Sequence, residues 1–385
     1  MPSLKDQFLL DPDVTFLNHG SFGAVPLPVF QVYQEWQREL ERQPVEFLYR
    51  REPELMASAR RTLADFVNCH PDHIVYYPNA TTALNAVIRS LPLSPGDQIL
   101  TIDHEYGAMQ YTLSAVVEAR HAVLVEHPIP LPLPSSPEII ESLWSAVTPR
   151  TRAIFISHIT SPTALLLPIE EIIRRARGAG ILTIIDGAHG VGQLPLDISA
   201  LDPDFYTSNC HKWLCAPKGA AFLYARQELH SMLKPLVISW GYQPLESRAN
   251  RFLDLHEWHG TRDISAYLSV PAAIQFQEEN DWEAVRSQCH TLALDTRARI
   301  DALTGFPAIC PADSFVQMFA CFLPDLDPHQ LKRDLYDRYR IEVPIQVWSG
   351  KPLLRVSFQA YNDQADADKL LSALEELLAT RSYST

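Results

Sequence analysis

Residues 204–224 read DFYTSNCHKWLCAPKGAAFLY, and the middle of that stretch decides how the chain folds. Two short apolar runs, FYTS (205–208) and GAAFLYA (219–225), have the length and composition of β-strands, and a turn carrying His211 and Lys212 separates them. A solvated turn would explain a basic pair, but Trp213 and Leu214 follow at once and lead the chain back inward. A lysine drawn into apolar surroundings is costly unless it is paired, neutral or covalently used. Lys212 is therefore the first residue to weigh for chemistry.

Outward from this stretch, short apolar runs alternate with helical periodicity between about residues 60 and 240. IVYY (74–77) precedes TALNAVIRSL, DQILTI (97–102) precedes GAMQYTLSAVVEA, AIFIS (153–157) precedes PIEEIIRRARGAG, and ILTIID (181–186) runs into a turn. That alternation predicts an α/β fold, a mostly parallel sheet with helices on both faces. HPIPLPLPSSPEII (127–140) reads as an extended connection ending at a helix start near Ser135–Glu138. After residue 260 the texture turns α+β, with a long helix over 282–303, the run FVQMFACFL (315–323), a helix near PHQLKRDLYDRY and LLRVSFQ (353–359). The expected organisation is a large α/β domain over 20–258 and a smaller α+β domain built from 1–19 and 259–385, in keeping with 385 residues being long for one core.

With 32 Lys and Arg against 46 Asp and Glu, the net charge is −14, which disfavours nucleic acid and anionic membrane as partners. No apolar run is long enough to span a bilayer, and the first residues lack the basic-then-apolar pattern of a signal peptide. Six cysteines form no CxxC and no regular framework, so reduced thiols and a cytoplasmic location are expected.

In an open α/β sheet the site lies at the carboxyl ends of the strands, and four such ends are polar here. Asn79–Thr82 opens a helix, either as ordinary N-capping or as a phosphate cradle in which backbone N–H groups and the hydroxyls of Thr81 and Thr82 face an anion. Asp186 ends ILTIID and is either a structural ion-pair or turn carboxylate, or the partner of a protonated ring nitrogen. Tyr106, with His104 as a second candidate, is either core packing or an aromatic platform. Ser208 ends FYTS, three residues before the His211–Lys212 pair. A lysine of lowered pKa is a nucleophile toward an aldehyde. Phosphate cradle, ring-nitrogen acid, aromatic platform and amine together suit pyridoxal 5′-phosphate.

TIIDGAHGVGQLPLD and DFYTSNCHKWLCAPKGAAFLY, with NATTALN, HEYGA and HGTRD in order, resemble the class V aminotransferase family of fold-type I enzymes. LNHGSFGAVP (17–26) and HGTRD (259–263) are most similar to its isopenicillin N epimerase-like subgroup. The resemblance implies that Lys212 holds the cofactor as a Schiff base, Asp186 pairs with the pyridinium nitrogen, His189 contacts the ring 3′-oxygen and Tyr106 stacks on the ring. It further implies that Thr81, Ser208 and His211 serve the phosphate with Thr82 beside them, and that Thr261 reaches across a homodimer with shared active sites. Arg355 would clamp the substrate α-carboxylate, with Asn18 and His19 lining the substrate side.

Cysteine desulfurases of the family carry a nucleophilic cysteine shortly before that arginine, whereas here the stretch is PIQVWSGKPLLR with no cysteine between Cys321 and Arg355. A desulfurase is therefore not expected. HEWH (256–259) is one residue short of a zinc-binding HExxH, GKP (350–352) lacks the rest of a P-loop, and HGSFG supports no hydrolase triad. Epimerisation, cysteine or cystine C–S cleavage and transamination all begin by removing the Cα proton, so the shared motifs leave them open. A cofactor-fold binding protein without catalysis would have lost Lys212 or Asp186, and both are present.

Overall fold

The computed structural model describes residues 4–243 and 250–379. Its centre is a seven-stranded sheet of β1 (Ile74–Tyr77), β2 (Gln98–Ile102), β3 (Val123–His127), β4 (Thr151–Ser157), β5 (Leu182–Asp186), β6 (Phe205–Asn209) and β7 (Ala221–Ala225). The spatial order is β1-β7-β6-β5-β4-β2-β3. β2 to β6 pair in parallel, and β7 runs antiparallel between β6 and β1. The six runs read from sequence are strands of this sheet. Strands covered on both faces read as continuous apolar runs, and β1, β6 and β7 are buried along their whole length.

β3 is the strand that no apolar run announced, its last residue being where the extended connection read over 127–140 begins. It forms one edge of the sheet, half-buried and carrying Glu126 and His127, so it lacks the unbroken apolar signature of its neighbours. The helix after it begins at Ser136 with a capping box between Ser135 and Glu138, where the sequence predicts its start.

Two helices position the site. α1 (Ala80–Ser90) follows β1, and Asn79 caps it by accepting from the Thr82 amide at 2.8 Å. α2 (Gly107–Arg120) follows β2, with Tyr106 at its N-cap. The helix Ile169–Gly178 covers the sheet through Ile169, Ile172, Ile173 and Ala176, the spacing of one helical face.

A second, antiparallel sheet joins Met318–Phe322, Lys351–Ser357 and Ile345–Trp348. The long helix Trp282–Thr304 ends at Gly305, whose φ of +73° is the left-handed conformation glycine adopts at a helix end. Near the amino terminus, Thr15–Phe16 pairs in parallel with Ile341–Glu342, which ties the first described residues to the carboxyl-terminal part of the chain.

Candidate active site

The carboxyl ends of β4, β5 and β6 and the amino end of α1 meet at one cavity of about 380 Å³. Register explains part of the convergence: Ser157 at the end of β4 lies opposite Asp186 at the end of β5. Lys212, His189, Asp186, Tyr106, Thr81 and His211 all line it.

The Lys212 ε-amine lies 3.1 Å from Nε2 of His189. Loss of water around it, aided by the Arg355 charge and opposed by Asp186, lowers its pKa from 10.5 to about 7. An amine so poised gives and takes a proton near neutrality. Asp186 accepts from the Ala188 amide at 2.9 Å, and its burial raises its pKa against the pull of that bond and of Lys212. Tyr106 leaves 47% of its surface open, so a ring face is available to a ligand in the cavity.

The backbone of the Lys212 turn is held from below. Gly23 has φ +69°, and a Cβ there would stand 2.0 Å from the His211 carbonyl oxygen, so the HGSFG segment packs directly on the turn. His19 donates from Nε2 to the Lys212 carbonyl at 2.9 Å and accepts at Nδ1 from the Tyr361 hydroxyl at 3.0 Å. Burial drives its pKa down to about 3, so it stays neutral.

At the amino end of α1, the Ala80 amide goes to Asn209 Oδ1 and the Thr82 amide to Asn79 Oδ1. The Thr81 amide is then the helix-terminal donor left to face the cavity, beside the Thr81 hydroxyl. His211 donates from Nδ1 to the Ala220 carbonyl at 3.1 Å, which turns Nε2 to other partners.

Arg355 lies behind the cavity wall. It donates to the Ser161 carbonyl at 2.5 Å and to the Ser21 hydroxyl at 3.0 Å, and both serines line the cavity. Its Nε is buried with no hydrogen-bond partner among the described residues.

Several expected residues stand elsewhere. Ser208 is buried with its hydroxyl donating to the Gly187 carbonyl and accepting from the Val191 amide at 3.1 Å, so its oxygen is committed inside the fold, and Asn209 takes its place on the wall. Thr82 donates its hydroxyl to Asn79 Oδ1 and faces a neighbouring cleft. His19 lies under Lys212 and not on the substrate wall, and Asn18 binds Glu342 and Ser21. Thr261 is exposed and does not line the cavity of its own chain. His104 stacks on Trp348 at 4.4 Å, which removes it as a platform.

Sequence reasoning did not single out Ser21, Ser157, Ser161 or Glu105. The first three were legible only as polar residues beside a strand end or in HGSFG. Glu105 is buried and binds Ser157 through both oxygens. Burial, reinforced by the Asp186 charge and opposed by the Ser157 hydrogen bonds, pushes its pKa up to about 8.

A lysine sharing one cavity with a buried carboxylate, at the carboxyl ends of a mostly parallel sheet, is the arrangement of a pyridoxal 5′-phosphate enzyme of fold type I. The chain belongs to the class-V aminotransferase family, which it matches over residues 24–370. It is 38% identical over 390 residues to an isopenicillin N epimerase of Amycolatopsis lactamdurans, covering 97% of each chain. A probable chloroplastic L-cysteine desulfhydrase of Arabidopsis thaliana is 28% identical, covering 96% of this chain and 84% of that one. In fold it is similar to a cysteine desulfurase of Escherichia coli, with a TM-score of 0.81, 23% identity and 98% of each chain covered.

The donor set fits the cofactor. Asp186 is a buried carboxylate whose cost a protonated ring nitrogen would offset, and the Thr81 amide and hydroxyl suit a phosphate.

Proposed function

We propose that the protein takes the proton from one face of Cα of an amino-acid substrate and that a proton is delivered to the opposite face, inverting that carbon as an epimerase of the isopenicillin N type does, without using an enzyme thiol. The observation that carries this reading is the Lys212 amine, lowered to a pKa of about 7 and facing the same cavity as Asp186. Pyridoxal 5′-phosphate, when bound through Lys212, supplies the electron sink that makes a Cα proton acidic. Asp186 keeps the ring nitrogen protonated, and His189 holds a polar contact beside the amine. Tyr106 presents a face for stacking, and Thr81 with His211 faces the phosphate. Arg355, behind that wall, would hold the substrate carboxylate by exchanging its bonds to Ser161 and Ser21 for the carboxylate's two oxygens, which a guanidinium fork matches. Lys212, released when substrate takes its place, then moves the Cα proton.

Thiol chemistry is disfavoured by where the cysteines lie. None lines the cavity, five are buried, and burial pushes the thiols of Cys69 and Cys289 up to about 12 and Cys310 to about 11. A thiol held so far above neutrality supplies little thiolate. The desulfhydrase relative, covering 96% of this chain, favours a second reading in which the substrate expels a β-substituent after losing the same proton. Transamination is a third course from that point.

We infer a homodimer with shared active sites, since Thr261 is exposed and away from its own cavity. The division into a large unit over 20–258 and a smaller one from 1–19 and 259–385 accords with the pairing of Thr15–Phe16 to Ile341–Glu342. Six unpaired cysteines accord with a cytoplasmic location. The test of the reaction is a panel of amino acids read for inverted stereochemistry, keto acid and sulfide. Inversion without keto acid or sulfide supports epimerisation; sulfide release would replace it with elimination.

A further inference from the structure

Next to Lys212 in the chain, Trp213 is fully buried, and its indole Nε1 donates to Nδ1 of His189 at 3.1 Å. An indole nitrogen is only ever a donor, so Nδ1 of His189 must be the acceptor. A neutral imidazole with Nδ1 accepting carries its proton on Nε2, and that nitrogen is the one 3.1 Å from the Lys212 amine. The ring is held neutral by burial first, and by the nearby charges of Lys212 and Arg355, which oppose a second proton.

The indole itself has little freedom. Its ring lies 5.0 Å from that of His19, and its backbone carbonyl accepts from Gln277 Nε2 at 2.8 Å. Gly192, at φ +83°, passes so close that a Cβ there would stand 2.3 Å from the Trp213 carbonyl oxygen. Gln193 donates to the His189 carbonyl at 2.9 Å and fixes the other end of the pair. Chain and ring are pinned on both sides of the Nε1–Nδ1 bond.

We propose that Trp213 is a positioning residue: its indole N–H fixes the tautomer of His189, so that an Nε2–H donor always faces Lys212 and the 3′-oxygen of the cofactor. This rests on the reading of His189 as the residue that meets the ring 3′-oxygen. With the indole donor gone, the proton is free to move to Nδ1. Nε2 would then turn a lone pair toward an oxygen that is itself electron-rich, and a stabilising contact becomes a repulsive one.

The tautomer is read directly by long-range proton–nitrogen correlation NMR on cofactor-free protein labelled with ¹⁵N-histidine, His189 being assigned from a His189→Gln sample. Wild-type protein should show Nδ1 unprotonated and Nε2 protonated. Trp213→Phe should show a tautomer mixture, about ten-fold weaker binding of pyridoxal 5′-phosphate and a shifted absorption band of the bound cofactor. Benzothienylalanine at position 213, which keeps the fused ring and replaces N–H by sulfur, reports the same quantities if the phenylalanine variant fails to fold. A wild-type Nδ1–H tautomer, or an Nε2–H tautomer that survives loss of the indole donor, would overturn the proposal. An unchanged cofactor affinity and spectrum beside an altered tautomer would leave the Trp213–His189 bond standing and instead overturn the reading of His189 as the 3′-oxygen contact, and with it the proposed role.

Discussion

Ser157 grips both oxygens of Glu105: its amide donates to Oε1 at 2.9 Å and its hydroxyl to Oε2. The buried carboxyl so held has its pKa raised from 4.5 to about 8 by burial first and by the Asp186 charge, with the Ser157 bonds opposing. A pKa raised by folding means that the folded state binds the proton more tightly than the unfolded chain. The stability this contributes is complete below about pH 4.5 and is lost as pH rises through about 8. Glu105→Gln, which cannot ionise, should therefore gain on wild type across that window, by on the order of a few kcal/mol at its upper end. Urea denaturation of the two proteins at a series of pH values checks this, and parallel profiles would contradict it.

Asp186 is 4% exposed and spends one oxygen on the Ala188 amide; on the proposed reading the other meets the ring nitrogen. Asp186→Asn should keep the cofactor bound but slow Cα-proton exchange by about two orders of magnitude or more, the scale on which a preorganised electrostatic partner acts. Proton NMR of substrate in deuterated water measures the loss. Unchanged exchange would refute the role.

Cys289, Cys310 and Cys321 are buried away from the cavity. Replacing all three by serine should leave turnover of the best amino acid within a few-fold of wild type, with no protein-bound persulfide in the parent. Loss of turnover together with a trapped persulfide would sink the thiol-free account. Thermal melting of the variant separates a folding defect from a chemical one.

Thr261 should matter only in the dimer. Light scattering should give twice the 43.5 kDa of one chain, and Thr261→Ala should weaken cofactor binding by a few-fold without dissociating the pair. A monomer that holds cofactor and activity would contradict the shared site.

Local pattern made much of this legible. β1, β4 and β5 announce themselves as apolar runs because the sheet buries both their faces. Lys212 and Asp186 stood out because a charge at the end of such a run needs a reason. β3 escaped because an edge strand needs no continuous apolar run. The brace of Arg355 joins residues 194 and 334 positions apart, a separation that no local pattern carries. The family resemblance made Ser208 a phosphate ligand, yet its side chain points into hydrogen bonds with Gly187 and Val191. Which way a strand-end side chain points depends on the neighbouring strand's register, and only the assembled sheet supplies it.

The central claim is that the Lys212 amine, 3.1 Å from His189 and lowered to a pKa of about 7, moves the Cα proton. The direct test is deuterium incorporation at Cα of the best amino acid of the panel, measured for wild type and for Lys212→Ala loaded with pyridoxal 5′-phosphate. The account predicts rapid exchange by wild type and a loss of about 10² to 10⁴-fold in the variant, the range expected for removing a general acid–base group. Exchange by Lys212→Ala at the wild-type rate would contradict it.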